Sequence, residues 1–158
     1  MYTVGTKKKG IRTMRKDNIT LVFDMDGTIA DLYGVNNWLA DLRAEKTTPY
    51  EKARAIYGTA LNDLLIELKK AGIRVAVTTW TAKGGSKEYN KAVAEVKKEW
   101  LIKNNFPFDE FHAVKYGTTK ANCTRKNKGI QILIDDNEKI RKVSRSCARS
   151  INMAGPKE

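Results

Sequence analysis

Histidine is almost missing from this chain: His112 stands alone among 158 residues, and only two cysteines, Cys123 and Cys147, accompany it. With no CxxC pair and no second histidine at ligand spacing, a zinc site and a disulfide framework are both excluded, and the cysteines read as reduced, structural thiols. Proline is scarce too, at three residues, and a composition 41% hydrophobic and 30% charged is not that of a disordered chain. Long apolar runs are absent. The best of them, at 73–77 and 132–134, fall far below the roughly 20 residues that span a bilayer. No apolar run follows the basic N-terminal stretch before Ile19, so a secretory leader is not expected and a cytoplasmic setting without membrane contact is. Acid is in deficit, with 18 Asp and Glu against 30 Lys and Arg, a formal net charge of +12. That balance implies attraction to something anionic, whether a nucleotide, a nucleic acid or another acidic surface.

Against that deficit, two places where carboxylates cluster stand out. The stretch ITLVFDMDGT, residues 19–28, sets Asp24 and Asp26 after an apolar, β-branched run and before Gly27, where the backbone can turn sharply. Both carboxylates are thereby presented at the carboxyl end of a strand, where open α/β sheets bind ligands. The second cluster, Asp135-Asp136, closes another apolar run at 130–134. A DxD pair by itself is often a solvated turn. A calcium loop is excluded because Ile29 and Ala30 occupy positions that would need oxygen ligands and glycine.

The rest of the chain alternates strand and helix signals. Residues 1–18 carry six basic side chains against Asp17 and show no period, which predicts a basic arm. Residues 32–57 predict two short helical pieces around a break at Thr47-Thr48-Pro49. A helix over 59–70 presents Ala60, Leu61, Leu64, Leu65 and Leu68 on one face and stops at Gly72. A buried strand over 73–78 leads into a polar loop, and Ser86 caps a helix with Tyr89, Val93, Val96 and Trp100 at spacings of three and four. Asn104, Asn105 and Pro107 end it. A short strand at 111–114, a basic loop at 115–128 and the strand at 130–134 follow, and the tail 143–158 is expected to form a helical turn and fray. This alternation predicts one α/β domain with a mainly parallel sheet and right-handed crossovers.

DMDGT after one strand and DD after another resemble the haloacid dehalogenase superfamily of phosphatases and phosphotransferases, over roughly residues 19–142. The resemblance implies a three-layer, Rossmann-like fold for residues 19–150, a minimal helical cap inserted at 30–58, and a short tail at 151–158. It implies that Asp24 is a nucleophile forming an aspartyl-phosphate, and that Asp26 is the general acid and base. An acid at position 26 argues against a dehalogenase and against the ion-pumping branch. The family's second motif points to Thr78 or Thr79, with Thr79 the first choice. Its third points to Lys120, with Lys115 as competitor, because small phage-encoded members that this chain looks like carry a YGTxK segment. Asp24, Asp26 and Asp135 or Asp136 would hold Mg2+, Asp26 through its main-chain oxygen. The setting would then be a host cytoplasm.

So small a cap implies an open site. The implied substrate is a phosphorylated small molecule, with deoxyribonucleotidase-like members favouring a nucleotide, or the terminal phosphate of DNA or RNA, favoured by the positive charge. A non-catalytic nucleic-acid-binding module on the same scaffold is the alternative. His112 is given no catalytic task, and Trp38, Trp80 and Trp100 read as packing, with Trp80 bordering the site.

Overall fold

The computed structural model describes residues 19–120, 129–144 and 149–151. The basic arm, both cysteines, most of the basic loop and most of the tail lie outside that range.

Five strands form one parallel sheet in the order β5-β4-β1-β6-β7: β1 (Ile19–Phe23), β4 (Arg74–Trp80), β5 (Glu110–Val114), β6 (Ile130–Ile134) and β7 (Arg149–Ile151). The α/β reading is correct, and the first strand sits at the centre of the sheet, as an apolar run buried on both faces should. Alternation along the strands sends Phe23, Val75 and Val77 to one face, where they meet Leu65 of α3 (Gly58–Lys70) and Trp100 and Leu101 of α4 (Lys87–Lys103). Val22, Ala76 and Leu133 go to the other, with Ile140 of α5 (Glu138–Ser144) against them. Helices on both faces make three layers.

Three features depart from expectation. A strand, β7, continues the sheet where a fraying tail was expected; three residues with no period leave no mark in a sequence, and pairing with β6 alone defines them. Residues 54 and 55 form β3 (Arg54–Ala55), antiparallel to β2 (Ala30–Asp31), a stem too short to read from periodicity. Leu64, expected on the buried face of α3, is 56% exposed, and the helix packs through Leu61, Leu65 and Leu68. Between the two strands of the stem lie the expected short helices, α1 (Trp38–Arg43) and α2 (Thr48–Lys52), the second with its proline in the first turn. Ser86 caps α4 as read, its hydroxyl accepting from Tyr89 N at 3.1 Å. No helix among the described residues is long and apolar enough to cross a membrane.

Candidate active site

The register of the three central strands puts the carboxylates in one row. Phe23 pairs with Val77 on one side and Ile134 on the other, so the next residues, Asp24, Thr78 and Asp135, stand side by side at the carboxyl edge. All three follow Val22, Ala76 and Leu133 by two positions and therefore face the same side of the sheet. Beyond the row the chain turns tightly: the carbonyl of Met25 accepts from the N–H groups of Thr28, Ile29 and Ala30, and Gly27 takes φ +79. A Cβ at Gly27 would lie 2.6 Å from Tyr33 Cε2 and 2.7 Å from Asp136 Oδ2, so both crowding and backbone geometry require glycine. The buried Thr28 hydroxyl joins the two acidic motifs, accepting from Asp136 N at 3.1 Å and donating to its Oδ1 at 3.3 Å.

Lys120 lies in the middle of the row. Its ammonium, almost fully buried, is 2.6 Å from Asp24 Oδ1 and 2.9 Å from Asp135 Oδ2. Asp135 is sealed, its other oxygen accepting from Asn137 N at 2.8 Å. Burial pushes Asp24 up to about 7 despite the neighbouring ammonium, and the charges of Asp135 and Asp26 add to the rise. Burial likewise raises Asp136, with Asp135 beside it. For Lys120 burial acts the other way, and the attraction of Asp24 and Asp135 outweighs it, holding the ammonium above its ordinary range. Lys115, the competitor, is exposed.

Carboxylate oxygens of Asp24, Asp135 and Asp136 lie within 4.8 Å of one another, a hard-oxygen donor set of the kind Mg2+ takes. The carboxylate of Asp26 is not in that group. It pairs instead with Lys97 of α4, whose Nζ lies 2.5 Å from Asp26 Oδ2. Lys97 escaped the sequence reading, although a signal was present: it falls midway between Val93 and Leu101 at spacings of four, a lysine in the buried stripe of its helix. Thr79 belongs to this side as well. It faces away from Asp24, and its hydroxyl accepts from Lys97 at 2.9 Å. Thr78 is equally buried, and its hydroxyl has no partner among the described residues.

Above the row opens a pocket of about 420 Å³. Its floor is Asp24, Asp26, Lys120, Asp135 and Asp136; its walls are aromatic, with Tyr33, Trp38 and Tyr50 from the 30–58 segment facing Trp80 and Tyr116. Tyr33 and Trp38 meet edge to face at 5.1 Å, and Trp80 and Tyr116 lie 4.7 Å apart. Trp100, by contrast, is core, its indole N–H donating to Ala53 O at 2.7 Å. His112 is off the pocket, bonded to Glu110 at 3.0 Å.

Two solved structures share this architecture. D,D-heptose 1,7-bisphosphate phosphatase from Burkholderia thailandensis superposes with a TM-score of 0.50 at 14% identity, over 82% of this chain and 74% of that one. This chain therefore has the same three-layer α/β fold as that phosphatase. A hydrolase from Streptococcus pneumoniae TIGR4 shares the fold too, with a TM-score of 0.50 at 12% identity, over 84% of this chain and 90% of that one. No protein-family model matches the sequence, and no curated protein matches it either. Identities this low speak for the fold alone.

Proposed function

We propose that this chain is a Mg2+-dependent phosphomonoesterase that works through an aspartyl-phosphate on Asp24 and acts on a nucleotide. The observation that carries the reading is the shared row of Asp24, Thr78 and Asp135 with Lys120 between the two carboxylates. Asp24 attacks phosphorus, the P–O bond to the leaving group breaks, and Asp26 gives that oxygen a proton. Water then attacks the acyl-phosphate, Asp26 takes its proton, and inorganic phosphate leaves with Asp24 restored. Lys120 holds the nucleophile in place and offsets the charge of the phosphoryl oxygens. Of the two threonines, Thr78 is the better hydrogen-bond donor to the phosphoryl group, since its hydroxyl has no partner among the described residues and Thr79 accepts from Lys97. Mg2+ held by Asp24, Asp135 and Asp136 would neutralise the phosphate and polarise its P–O bonds.

The walls support the substrate class. Five aromatic rings around a pocket of this size suit a planar base stacked above a phosphate, and Arg43 and Lys83 add positive charge to the lining. The 30–58 segment thus serves as a small cap. The deciding experiment measures phosphate release, with and without Mg2+, from an aryl phosphate and then from nucleoside monophosphates, sugar phosphates, and oligonucleotides bearing 3′ or 5′ phosphates. Mg2+-dependent turnover with nucleoside monophosphates preferred is expected; turnover undiminished in Asp24→Asn would overturn the assignment of the nucleophile.

A further inference from the structure

A lysine with no exposed surface in the middle of a packed helix is costly unless every one of its protons is bonded. Lys97 meets that condition. Its three N–H groups go to Asp26 Oδ2 at 2.5 Å, Thr79 Oγ1 at 2.9 Å and the carbonyl of Trp80 at 2.8 Å, and the ring of Tyr50 covers it at 4.7 Å. A hydrophobic residue would fill the same slot between Val93 and Leu101 without that cost, so an ammonium there calls for an explanation.

Resting on the phosphatase reading above, we propose that Lys97 is a positioning residue that fixes where the Asp26 side chain stands for proton transfer to the leaving group. An ammonium only donates hydrogen bonds, so the oxygen facing it, Oδ2, is engaged as an acceptor. Oδ1 has no protein partner among the described residues and belongs to a side chain lining the pocket. The same contact draws the Asp26 carboxylate to the α4 side and away from Asp24, Asp135 and Asp136, which keeps it out of their oxygen cluster. Two lysines thereby divide the four carboxylates: Lys120 serves the nucleophile, and Lys97 serves the acid. Because Lys97 also touches Tyr50, the wall of the pocket and the proton donor share one support.

Departure of a poor leaving group depends on the proton, whereas departure of a good one does not. The test therefore follows kcat/KM, which reports steps through formation of the acyl-phosphate, for phosphates of graded leaving-group pKa from 2,4-dinitrophenyl phosphate to an alkyl phosphate. Lys97→Met is expected to lose about a hundredfold more on the alkyl phosphate than on the dinitrophenyl ester, within the range that general acid catalysis contributes. Asp26→Asn should show the same slope, and the double variant should be no worse than Asp26→Asn on the alkyl substrate. A loss equal across the series, or losses that multiply in the double variant, would overturn the proposal. If Lys97→Met does not fold, Lys97→Gln carries the same test, with a shallower slope expected because one donor to Asp26 is kept. Wild-type protein inert toward every phosphate would refute the phosphatase reading and this one with it; an active wild type with uniform losses refutes this one alone.

Discussion

The floor and the walls of the pocket are built in opposite ways. The floor stands on the three central strands of the sheet, its acidic side chains tied by Lys120, Lys97, Thr28 and Asn137. The wall from residues 30–58 stands on a two-residue stem and two short helices, of which α1 buries none of its side chains. Yet this wall is not loose. Glu45 accepts from the backbone and hydroxyl of Ser86, Tyr89 donates to Lys46 O at 2.9 Å, and Trp100 donates to Ala53 O, so α4 clamps the segment from behind. Reacting groups need sub-ångström placement and sit on the element least able to move. Groups that select a substrate need shape, and a small clamped insert supplies it.

Substitutions that separate the two regions test this contrast. Asp24→Asn should cut turnover by at least about a thousandfold while leaving the melting temperature at pH 8 at or above that of the wild type, because a buried carboxylate disfavoured as an anion becomes neutral; a large fall in melting temperature would contradict the electrostatics described here. Thr78→Val should cost about a hundredfold in kcat, and more than Thr79→Val, if the unpartnered hydroxyl meets the phosphoryl group. At the junction of floor and wall, Gly27→Ala should destabilise by about 1–3 kcal/mol in a denaturant melt, since its φ is positive and its Cβ would press on Tyr33 and Asp136.

Protons give a subtler test. Asp24 keeps its proton up to about 7 in the folded protein against an ordinary 3.8, so Mg2+ has to displace it below that pH. Affinity for Mg2+, followed by calorimetry, should therefore fall about tenfold per pH unit below 7 and level off above. The sign for stability follows: the folded state binds this proton more tightly than the unfolded one, so metal-free protein should lose stability as pH rises from about 4 through 7. An affinity independent of pH across that window would show that Asp24 is not the group displaced. Smallest of all, Trp38→Ala should raise KM for a nucleotide about fivefold, roughly 1 kcal/mol of stacking, with no change for an aryl phosphate too small to reach the wall.

The floor was largely legible in the sequence and the walls were not. Apolar runs ending in DMDGT and IDD mark β1 and β6 because a strand buried on both faces must be apolar along its length and its ligands must follow its end. Lys120 was readable from a motif. Lys97 was not, because its role depends on which helix packs over Asp26, a tertiary fact that leaves only a charged residue in an apolar stripe. Which of Thr78 and Thr79 stands in the row beside Asp24 turns on strand register, which one sequence does not contain. The stem of β2 and β3 exists only through pairing, and the aromatic walls come from residues scattered between Tyr33 and Tyr116.

That stem has a consequence for how such a protein could be altered. Ala30 pairs with Ala55 and Asp31 with Arg54, so the chain leaves the sheet and returns at one closed doorway. Whatever lies between enters and exits at fixed coordinates, and each doubling of its length adds only about 0.6 kcal/mol of closure entropy. The doorway is a socket: a longer or differently shaped segment could be grafted across residues 32–53 and reshape the pocket for a new ligand, provided it carries its own partners for the clamp on α4.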